Sequence, residues 1–261
     1  LRVCIVVGEA AVIASTSDGG RVYTRNTVPT GLKFDLNSLT IKDDRKGFTK
    51  KYSAFAAGNG GTILMTEDGG ATPWTAVGAG ATTADLNSIF TYDGRRTWVV
   101  GTGGTILYTS NAKDFEVQTT PVTTTLYGVS CQNPTSCAAV GAPDATPKVC
   151  LCLSISLSSS SSSSSFFLFL ILILPVRLPQ LTLLCVPQLT PTPLQATVLI
   201  TDDGGETWSQ KTQIGPSTNV FAGTLYGVAH CTSNVIMIVG SGGTILKTLG
   251  AGEAWDYIPS R

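Results

Sequence analysis

Residues 56–74 read AAGNGGTILMTEDGGATPW, and degenerate copies of this stretch recur along the 261-residue chain. The copies share an apolar run ending in glycine, a tight turn, and in most cases a closing Thr-x-Asp-Gly-Gly phrase. They lie at residues 6–23 (VVGEAAVIASTSDGGRVY), 99–111 (VVGTGGTILYTSN), 138–148 with 196–208 (AAVGAPDATPK and ATVLITDDGGETW) and 238–255 (IVGSGGTILKTLGAGEAW). Similar units at a spacing of roughly 40–50 residues indicate an array of structural repeats.

Each unit predicts short β-strands joined by tight turns. An apolar strand ends in glycine, a glycine turn follows, and an alternating strand such as residues 105–109 (TILYT) completes a hairpin. Most hairpins are preceded by a candidate innermost strand, at residues 35–39, 85–89, 126–129 and 225–228. Roughly four strands per unit predict a β-propeller blade. The predicted fold class is therefore all-β, with five recognisable blades.

The Thr-x-Asp-Gly-Gly motif that closes most units has its clearest form at residues 201–208, which read TDDGGETW. An aspartate that opens a turn accepts backbone N–H bonds, and the glycines that follow can take positive φ. The aromatic residue can then fold back between neighbouring sheets. We expect this aspartate–glycine turn and its aromatic residue to have a structural role wherever the motif occurs. Its residues are Asp18, Asp68, Trp74, Asp203, Gly204, Gly205, Trp208 and Trp255.

The repeats also predict the organisation of the chain. Units lie near residues 1–34, 35–84 and 85–125, and a fourth unit begins before residue 148. The rest of the fourth unit and the fifth occupy residues 196–261. Because the chain starts inside a strand-like run and stops just after a repeat, we expect a fragment, or an incomplete gene model, of a six- or seven-bladed propeller.

Residues 149–195 depart from the repeat pattern, with Arg177 as their only charged residue. Their apolar run, residues 166–174, is far shorter than the roughly 20 residues of a spanning helix. A flexible, disordered linker is the second interpretation, but linkers seldom contain FFLFLILIL. The favoured interpretation is a retained intron, because the codons of leucine, serine, phenylalanine and proline are rich in pyrimidines. Removing the segment would also rejoin the two halves of the fourth unit.

Composition and motifs do not favour catalysis. The formal net charge is zero, so the overall charge does not indicate a nucleic acid or another polyanion as partner. The glycine triplets lack the Gly-Lys-Ser/Thr ending of a phosphate loop. The single histidine, His230 beside Cys231, supports neither a four-ligand zinc site nor a Ser-His-Asp triad. We expect no enzyme activity, no cofactor, no bound metal and no membrane span.

The cysteines leave two alternatives open. Cys131 and Cys137 flank the turn-like sequence QNPTS between two candidate strands. They can form a hairpin disulfide in an oxidising compartment, whereas buried or free thiols fit the sequence equally well. The separation that a disulfide needs is not encoded in the spacing alone.

One loop carries most of the clustered charge. Between its inner strand and its hairpin, the second unit holds Lys42, Arg45, Lys46, Lys50 and Lys51. The third unit holds Arg95 and Arg96 in the equivalent loop. Charges that recur in equivalent loops lie on one rim of a propeller, where they predict a basic surface for an acidic partner protein. Solvated loop charges are the alternative.

The phrase VGxxGTILxTxDGGxxW resembles the Asp-box, or BNR, repeat of β-propellers. The repeat sequence is most similar to that of the photosystem II stability/assembly factor family of cyanobacteria and chloroplasts. The resemblance covers essentially all of the chain outside residues 149–195. The chain departs from the family in its five units, in the absence of tryptophan from the third unit (TSNAKDFEV), and in its neutral charge.

The resemblance implies a non-enzymatic, monomeric factor in the chloroplast thylakoid lumen, or in the cyanobacterial thylakoid or periplasm. Such a factor would bind newly made photosystem II reaction-centre subunits, or another protein, through a basic surface. A generic secreted or periplasmic Asp-box binding propeller is the alternative. A sialidase-like glycoside hydrolase is a weaker one, because it would need an acid, a tyrosine and an arginine cluster at the propeller centre.

Overall fold

Five antiparallel β-sheets follow one another along the chain, with no α-helix in the part that the structure describes. That part of this computed structural model comprises residues 3–43, 52–144, 195–211 and 221–258, without residues 233, 251 and 253. It belongs to one of the two units into which the chain divides, Leu1–Ala145 with Pro193–Arg261. The other unit, Thr146–Thr192, to which most of the predicted intron belongs, lies outside the described residues.

Each sheet is one blade, and its strands follow chain order. Blade 1 has three strands in the described residues, and each of the other blades has four. The strands of blades 1 and 2 are β1 (Cys4–Val7), β2 (Ile13–Thr16), β3 (Thr24–Arg25), then β4 (Leu36–Asp43), β5 (Tyr52–Gly58), β6 (Ile63–Thr66) and β7 (Thr75–Ala76). Those of blade 3 are β8 (Leu86–Thr91), β9 (Thr97–Gly101), β10 (Ile106–Thr109) and β11 (Glu116–Gln118).

The last two blades repeat the same order. Blade 4 consists of β12 (Leu126–Cys131), β13 (Cys137–Asp144), β14 (Gln195–Thr201) and β15 (Ser209–Gln210). Blade 5 consists of β16 (Leu225–Thr232), β17 (Val235–Gly240), β18 (Ile245–Thr248) and β19 (Trp255–Tyr257). Blade 4 therefore forms across the predicted insert, and Gln195, which the sequence assigned to that insert, is paired with Asp144.

The first strands of successive blades lie side by side, β4 with β8, β8 with β12 and β12 with β16. These are the innermost strands that the sequence predicts, and they begin at Leu36, Leu86, Leu126 and Leu225. The arrangement is that of a β-propeller, with blades radiating from a common inner edge.

The glycine turn has the same conformation in each blade that contains it. It is one turn of 3₁₀-helix, and the glycine before it has extended backbone, with φ −158° at Gly58. Inside the turn, Gly60 and Gly61 have φ 63° and 73°, in the left-handed region. Blade 1 places Ala10 and Ala11 at the same positions with φ 51° and 56°. The degenerate copy therefore keeps the turn without the glycines that favour it.

The core consists of four apolar clusters, each formed between two successive blades. Blades 1 and 2 bury Ile13, Leu36 and Trp74 together. Blades 3 and 4 do the same with Trp98, Leu126 and Trp208, and the remaining clusters centre on Phe115 and Trp255. The closing aromatic of each of blades 2 to 5 thus packs against the preceding blade. In blade 3, Phe115 takes the place of the tryptophan that the sequence lacks.

Hydroxyl groups connect the innermost strands of neighbouring blades. The Oγ of Ser38 accepts a hydrogen bond from the backbone N–H of Ile89 at 3.2 Å, and Thr40 Oγ1 accepts one from Thr91 at 3.4 Å. The same bonds join Val129 N to Ser88 Oγ and His230 N to Ser130 Oγ. These N–H groups lie on the free edge of each blade, so the hydroxyls satisfy donors that a sheet edge would otherwise expose.

Two other side chains of the inner strand link a blade to its neighbours. Asn37 Nδ2 donates to the carbonyl of Leu86 in the next blade at 2.9 Å, and Asn87 does the same to Leu126 at 2.8 Å. In the opposite direction, Asp85 Oδ1 accepts from the N–H of Gly60 in the preceding turn at 2.9 Å. The sequence Asp-Leu-Asn-Ser is therefore a connector between blades as well as a strand.

Candidate functional site

The Asp-box of blade 4 is a closed network of hydrogen bonds. The hydroxyl of Thr201 donates to Asp203 Oδ1 at 2.6 Å, and the same hydroxyl accepts from Gly205 N at 2.9 Å. Thr207 donates to Asp203 through both its backbone N–H and its hydroxyl. The hydrogen bond from Thr201, followed by those from Thr207, lowers the pKa of Asp203 below its usual value. These donors hold the carboxylate in its own turn.

The other blades keep this network with different residues. Asp18 and Asp68 accept from Thr16 and Thr66 at 2.6 and 2.8 Å. In blade 3, Asn111 replaces the aspartate and accepts from the N–H groups of residues 113 and 114. In blade 5, Thr248 Oγ1 accepts from Gly252 N at 3.2 Å without a carboxylate. The threonine is thus the constant member of the network, and the aspartates act in separate blades.

Changing Asp203 to Asn should make thermal stability less dependent on acid pH. The folded-state pKa of Asp203 is depressed below 3.8, so its contribution is present above that pH and is lost as pH falls through the folded pKa. The difference in melting temperature between wild type and Asp203→Asn should therefore shrink between about pH 6 and about pH 2. Differential scanning calorimetry across that range measures it. A difference in melting temperature that stays constant with pH would contradict a stabilising role for the ionised carboxylate of Asp203.

Lys42, near the end of β4, and the turn that holds Arg95 and Arg96 approach each other at one rim of the propeller. The ring of Tyr92 lies near both, with Lys42 Nζ 5.6 Å and Arg96 Cζ 5.4 Å from its centroid. Cations at this distance from a tyrosine face are attracted to its ring. The structure therefore brings together two of the residues that the sequence placed in equivalent loops. Arg45, Lys46, Lys50 and Lys51 lie outside the described residues.

Arg96 is held in place by Asp93. Its Nε and Nη2 atoms lie 2.8 and 2.7 Å from Asp93 Oδ2, while Asp93 Oδ1 accepts from the backbone N–H of Arg96 at 2.8 Å. Burial would raise the pKa of Asp93, but the bonds from Arg96 and Arg95 outweigh it and lower the pKa. Arg95 lies beside a cleft of about 340 Å³ whose lining includes Lys113 and the acidic residues Glu67 and Asp93. The rim thus presents cations on an ordered turn.

The rim and the Asp-boxes lie at the same end of the blades. Gly69 N donates to the carbonyl of Tyr52 at 2.9 Å, and Ala112 N donates to that of Arg95 at 3.1 Å. The same contact in blade 4 joins Gly204 N to Thr135 O at 2.8 Å. In blades 2, 3 and 4 the turn at the Asp-box position therefore supports the rim hairpin of its own blade, which fits a structural role for this turn.

In blade 4 the rim hairpin is closed by a disulfide between Cys131 and Cys137. These residues face each other across β12 and β13, and the loop between them is also fixed by Asn133 Oδ1, which accepts from Ser136 N at 2.8 Å. Cys4 and Cys231 are free and exposed. Of the two alternatives that the sequence left open, the structure has the disulfide.

The described residues contain no cluster of three or more histidine, cysteine or acidic side chains that could hold a metal ion. The Nδ1 atom of His230 lies 3.2 Å from Ser130 Oγ, and burial lowers the pKa of this histidine. No helix in the described part of the chain is long and apolar enough to cross a bilayer.

Sequence reasoning missed two features of this site. The inner-strand connectors could have been recognised, because Asp-Leu-Asn-Ser occurs twice, at residues 35–38 and 85–88. Tyr92 carries no comparable signal, because no other unit has a tyrosine at the corresponding rim position. Its role depends on the approach of Lys42 from another blade.

Comparisons with known proteins give similarity of fold. No protein-family profile matches the chain, and no curated protein matches it in sequence. An ancestral GH74 enzyme aligns with a TM-score of 0.57 and 11% identity over 98% of this chain, which spans 32% of that enzyme. A structure described as YCF48 bound to D1 peptide aligns over 97% of this chain and 76% of its own, with 15% identity and a TM-score of 0.43. YCF48 from Cyanidioschyzon merolae gives 13% identity, coverage of 98% and 80%, and the same TM-score.

Proposed function

We propose that this propeller is a non-enzymatic scaffold that binds an unassembled protein through its basic rim. The observation that carries the proposal is the convergence of Lys42 and Arg96 on the ring of Tyr92. Tyrosine and arginine are enriched in protein interfaces, where an amphipathic ring and a guanidinium contribute contact area and directional hydrogen bonds. Surface cations also accelerate encounter with an acidic partner.

The ordered geometry of the rim favours a binding surface for a partner protein over solvated loop charges. Asp93 fixes the guanidinium of Arg96 with two short contacts, so little side-chain entropy remains to be lost when a partner binds. The Asp-box behind the rim holds the loop that carries Arg95. A rigid arrangement of this kind suits docking of an extended or folded protein surface without bond chemistry.

We propose photosystem II reaction-centre subunits as the partner and the thylakoid lumen, or the cyanobacterial thylakoid or periplasm, as the compartment. Support comes from the sequence of the repeats, which is similar to that of the assembly factor family and is clearest at residues 58–74. The Cys131–Cys137 disulfide fits an oxidising compartment. A secreted binding propeller with another protein partner is the second candidate, and the same disulfide fits it equally well.

Changing Lys42, Arg95 and Arg96 together to alanine should weaken partner capture by about tenfold or more, mainly at low salt. Surface plasmon resonance with immobilised lumenal peptides of photosystem II reaction-centre subunits measures this. Because Arg96 and Asp93 are partly exposed, the loss of their ion pair should change stability by less than about 1 kcal/mol. The melting temperature of the variant should therefore change little.

A matched control removes cations elsewhere. Arg25 lies on the outer strand of blade 1, and Lys33 precedes β4 at the end opposite the basic rim. Alanine at these two positions should leave capture unchanged. Equal binding by the rim variant and wild type would overturn the basic rim as the site. Equal binding of an unrelated peptide of the same charge would favour the second candidate.

A further inference from the structure

A groove of about 770 Å³ lies between blades 2 and 3, beside the outermost strand of blade 2. Its apolar lining consists of Met65 and Val77 from blade 2 and Phe115 from blade 3. The chain that follows β7 contributes only glycine and alanine to the lining at residues 78–81. We call this feature the outer groove. Small residues on one part of its lining leave the larger apolar groups open to a ligand.

The walls of the outer groove are tied together by backbone hydrogen bonds. Gly78 N donates to the carbonyl of Lys113 across the two blades at 3.0 Å, and Ala81 N donates to that of Gly78 at 3.1 Å. Met65 and Phe115 are 6% and 8% exposed, so their packing in the core fixes their positions. A ligand would therefore meet a preformed surface, which lowers the entropy lost on binding.

At two other blade interfaces, an amide side chain bridges the equivalent position. Asn26 Nδ2 donates to the carbonyl of Gly70 at 2.5 Å, and Gln118 Nε2 donates to that of Gly204 at 3.2 Å. Val77 occupies the same place in the register of blade 2. Valine has no hydrogen-bonding group in its side chain, so it cannot form this bridge between blades 2 and 3.

The turn of blade 3 is changed at the position that such a bridge would approach. Blades 2 and 4 have Gly70 and Gly205 there, whereas blade 3 has Lys113. A Cβ on Gly70 would approach Asn26 Nδ2 to 2.5 Å, and a Cβ on Gly205 would overlap the amide of Gln118. The bridge and a side chain at this position therefore exclude each other. Blade 3 has the side chain, and this places an ammonium group beside the outer groove.

Lys113 connects the outer groove to the basic rim. It lines both the groove and the cleft of about 340 Å³ beside Arg95. The cleft also contains Glu67 and Asp93, and Asp93 is paired with Arg96. Neither Arg95 nor Lys113 forms an ion pair with another of the described residues. Two cations that lack an acidic partner in this part of the chain thus lie next to an apolar surface.

We infer that the outer groove binds a segment of the partner protein in which acidic residues precede or follow a large apolar side chain. The carboxylates contact Lys113 and Arg95, and the apolar side chain covers Met65, Val77 and Phe115. A buried apolar anchor beside complementary charge is the arrangement that dominates affinity in protein interfaces. This inference rests on the proposed function, because it takes the same partner protein and extends the basic rim along blade 3.

The two methionines of the chain allow a direct test. Met65 lines the outer groove, whereas Met237 lies on β17 of blade 5. Protein labelled with carbon-13 at the methionine methyl groups therefore gives one signal from the groove and one internal control. Titration with the synthetic peptide GSDELFSG should shift the Met65 signal saturably and leave the Met237 signal unchanged. A shift at Met237 alone, or no shift at Met65, would overturn the inference.

Two altered peptides separate the apolar anchor from the charge. GSDEGSSG keeps both carboxylates and should bind at least about tenfold more weakly, because burying one large apolar side chain is worth about that factor or more. GSNQLFSG keeps the apolar pair and should bind about threefold more weakly at low salt. That second difference should vanish in about 1 M salt, where the screening length is about 3 Å. Equal binding of all three peptides would contradict the proposed recognition.

Matched tryptophan substitutions test the position of the site. Ala79 is exposed in the outer groove, and Ala71 is exposed in the cleft between blades 1 and 2. Ala79→Trp should fill the groove and weaken GSDELFSG binding at least about tenfold, whereas Ala71→Trp should leave it unchanged. Lys113→Gln should cost about threefold at low salt. Equal effects of the two tryptophans would place the site elsewhere.

The outer groove and the basic rim can fail separately. Suppose that alanine at Lys42, Arg95 and Arg96 leaves capture of the lumenal peptides unchanged while Met65 still responds to GSDELFSG. The basic rim is then wrong and the groove remains. Conversely, if the Met65 signal does not move while the rim variant loses capture, the groove is wrong and the rim remains.

Discussion

Replacing Trp74 with alanine is expected to lower the free energy of unfolding by about 3–5 kcal/mol, the usual range for removing a buried large aromatic side chain. Trp74 is 1% exposed and packs among Ile13, Leu36 and Leu64 between blades 1 and 2. Its indole N–H has no hydrogen-bond partner among the described residues, so its contribution comes from apolar packing. The loss should therefore reflect a cavity at a blade interface, measurable by urea denaturation.

Tyr23 provides the matched control for this substitution. It stands in the position of the tryptophan in the Asp-box of blade 1, but it is 46% exposed and has no preceding blade in the described residues to pack against. Changing Tyr23 to alanine should cost less than about 1 kcal/mol. Similar losses at Trp74 and Tyr23 would show that the aromatic acts within its own turn. The interpretation as a contact between blades would then be wrong.

The comparison of Trp74 with Tyr23 also shows which part of the fold could be predicted from the sequence. The repeated motif predicted the all-β propeller, the hairpins and the closing aromatics Trp74, Trp208 and Trp255, because strand alternation and glycine turns are local properties. Phe115 in place of tryptophan illustrates the limit of a motif. The packing position needs a large apolar ring, and the structure fills it with a different residue.

The features that escaped prediction depend on contacts between blades. The hydroxyl of Ser38 is useful only because the N–H of Ile89 lies on the free edge of the next blade. The pairing of Lys42 with Tyr92 likewise joins residues far apart in sequence. Local patterns identify the loops that carry charge, but the distance between two loops follows from how the blades pack. For the basic rim, the sequence could therefore name candidate cations without identifying the tyrosine ring that two of them approach.

Replacing Gly58 with alanine should lower the free energy of unfolding by about 3 kcal/mol, near the upper end of the cost of inserting one methyl group into a packed interior. The added Cβ would overlap the backbone carbonyl of Asp35 and approach the Cα of Leu36 to 3.0 Å. A backbone carbonyl cannot rotate away as a flexible side chain can. Relief would require β4 to move from β5, with loss of the ladder between them. Chemical denaturation and hydrogen exchange in β4 measure the two consequences.

Gly8→Ala separates this packing cost from any general effect of removing glycine. Gly8 and Gly58 share the extended backbone and the same place before a 3₁₀ turn, but among the described residues only Gly58 has an inner strand against it. Alanine restricts the unfolded chain, so Gly8→Ala should be neutral or stabilising by up to about 1 kcal/mol. If both variants lose stability equally, the glycine is needed for the turn itself. If only Gly58→Ala does, the repeated glycine serves the entry of the inner strand.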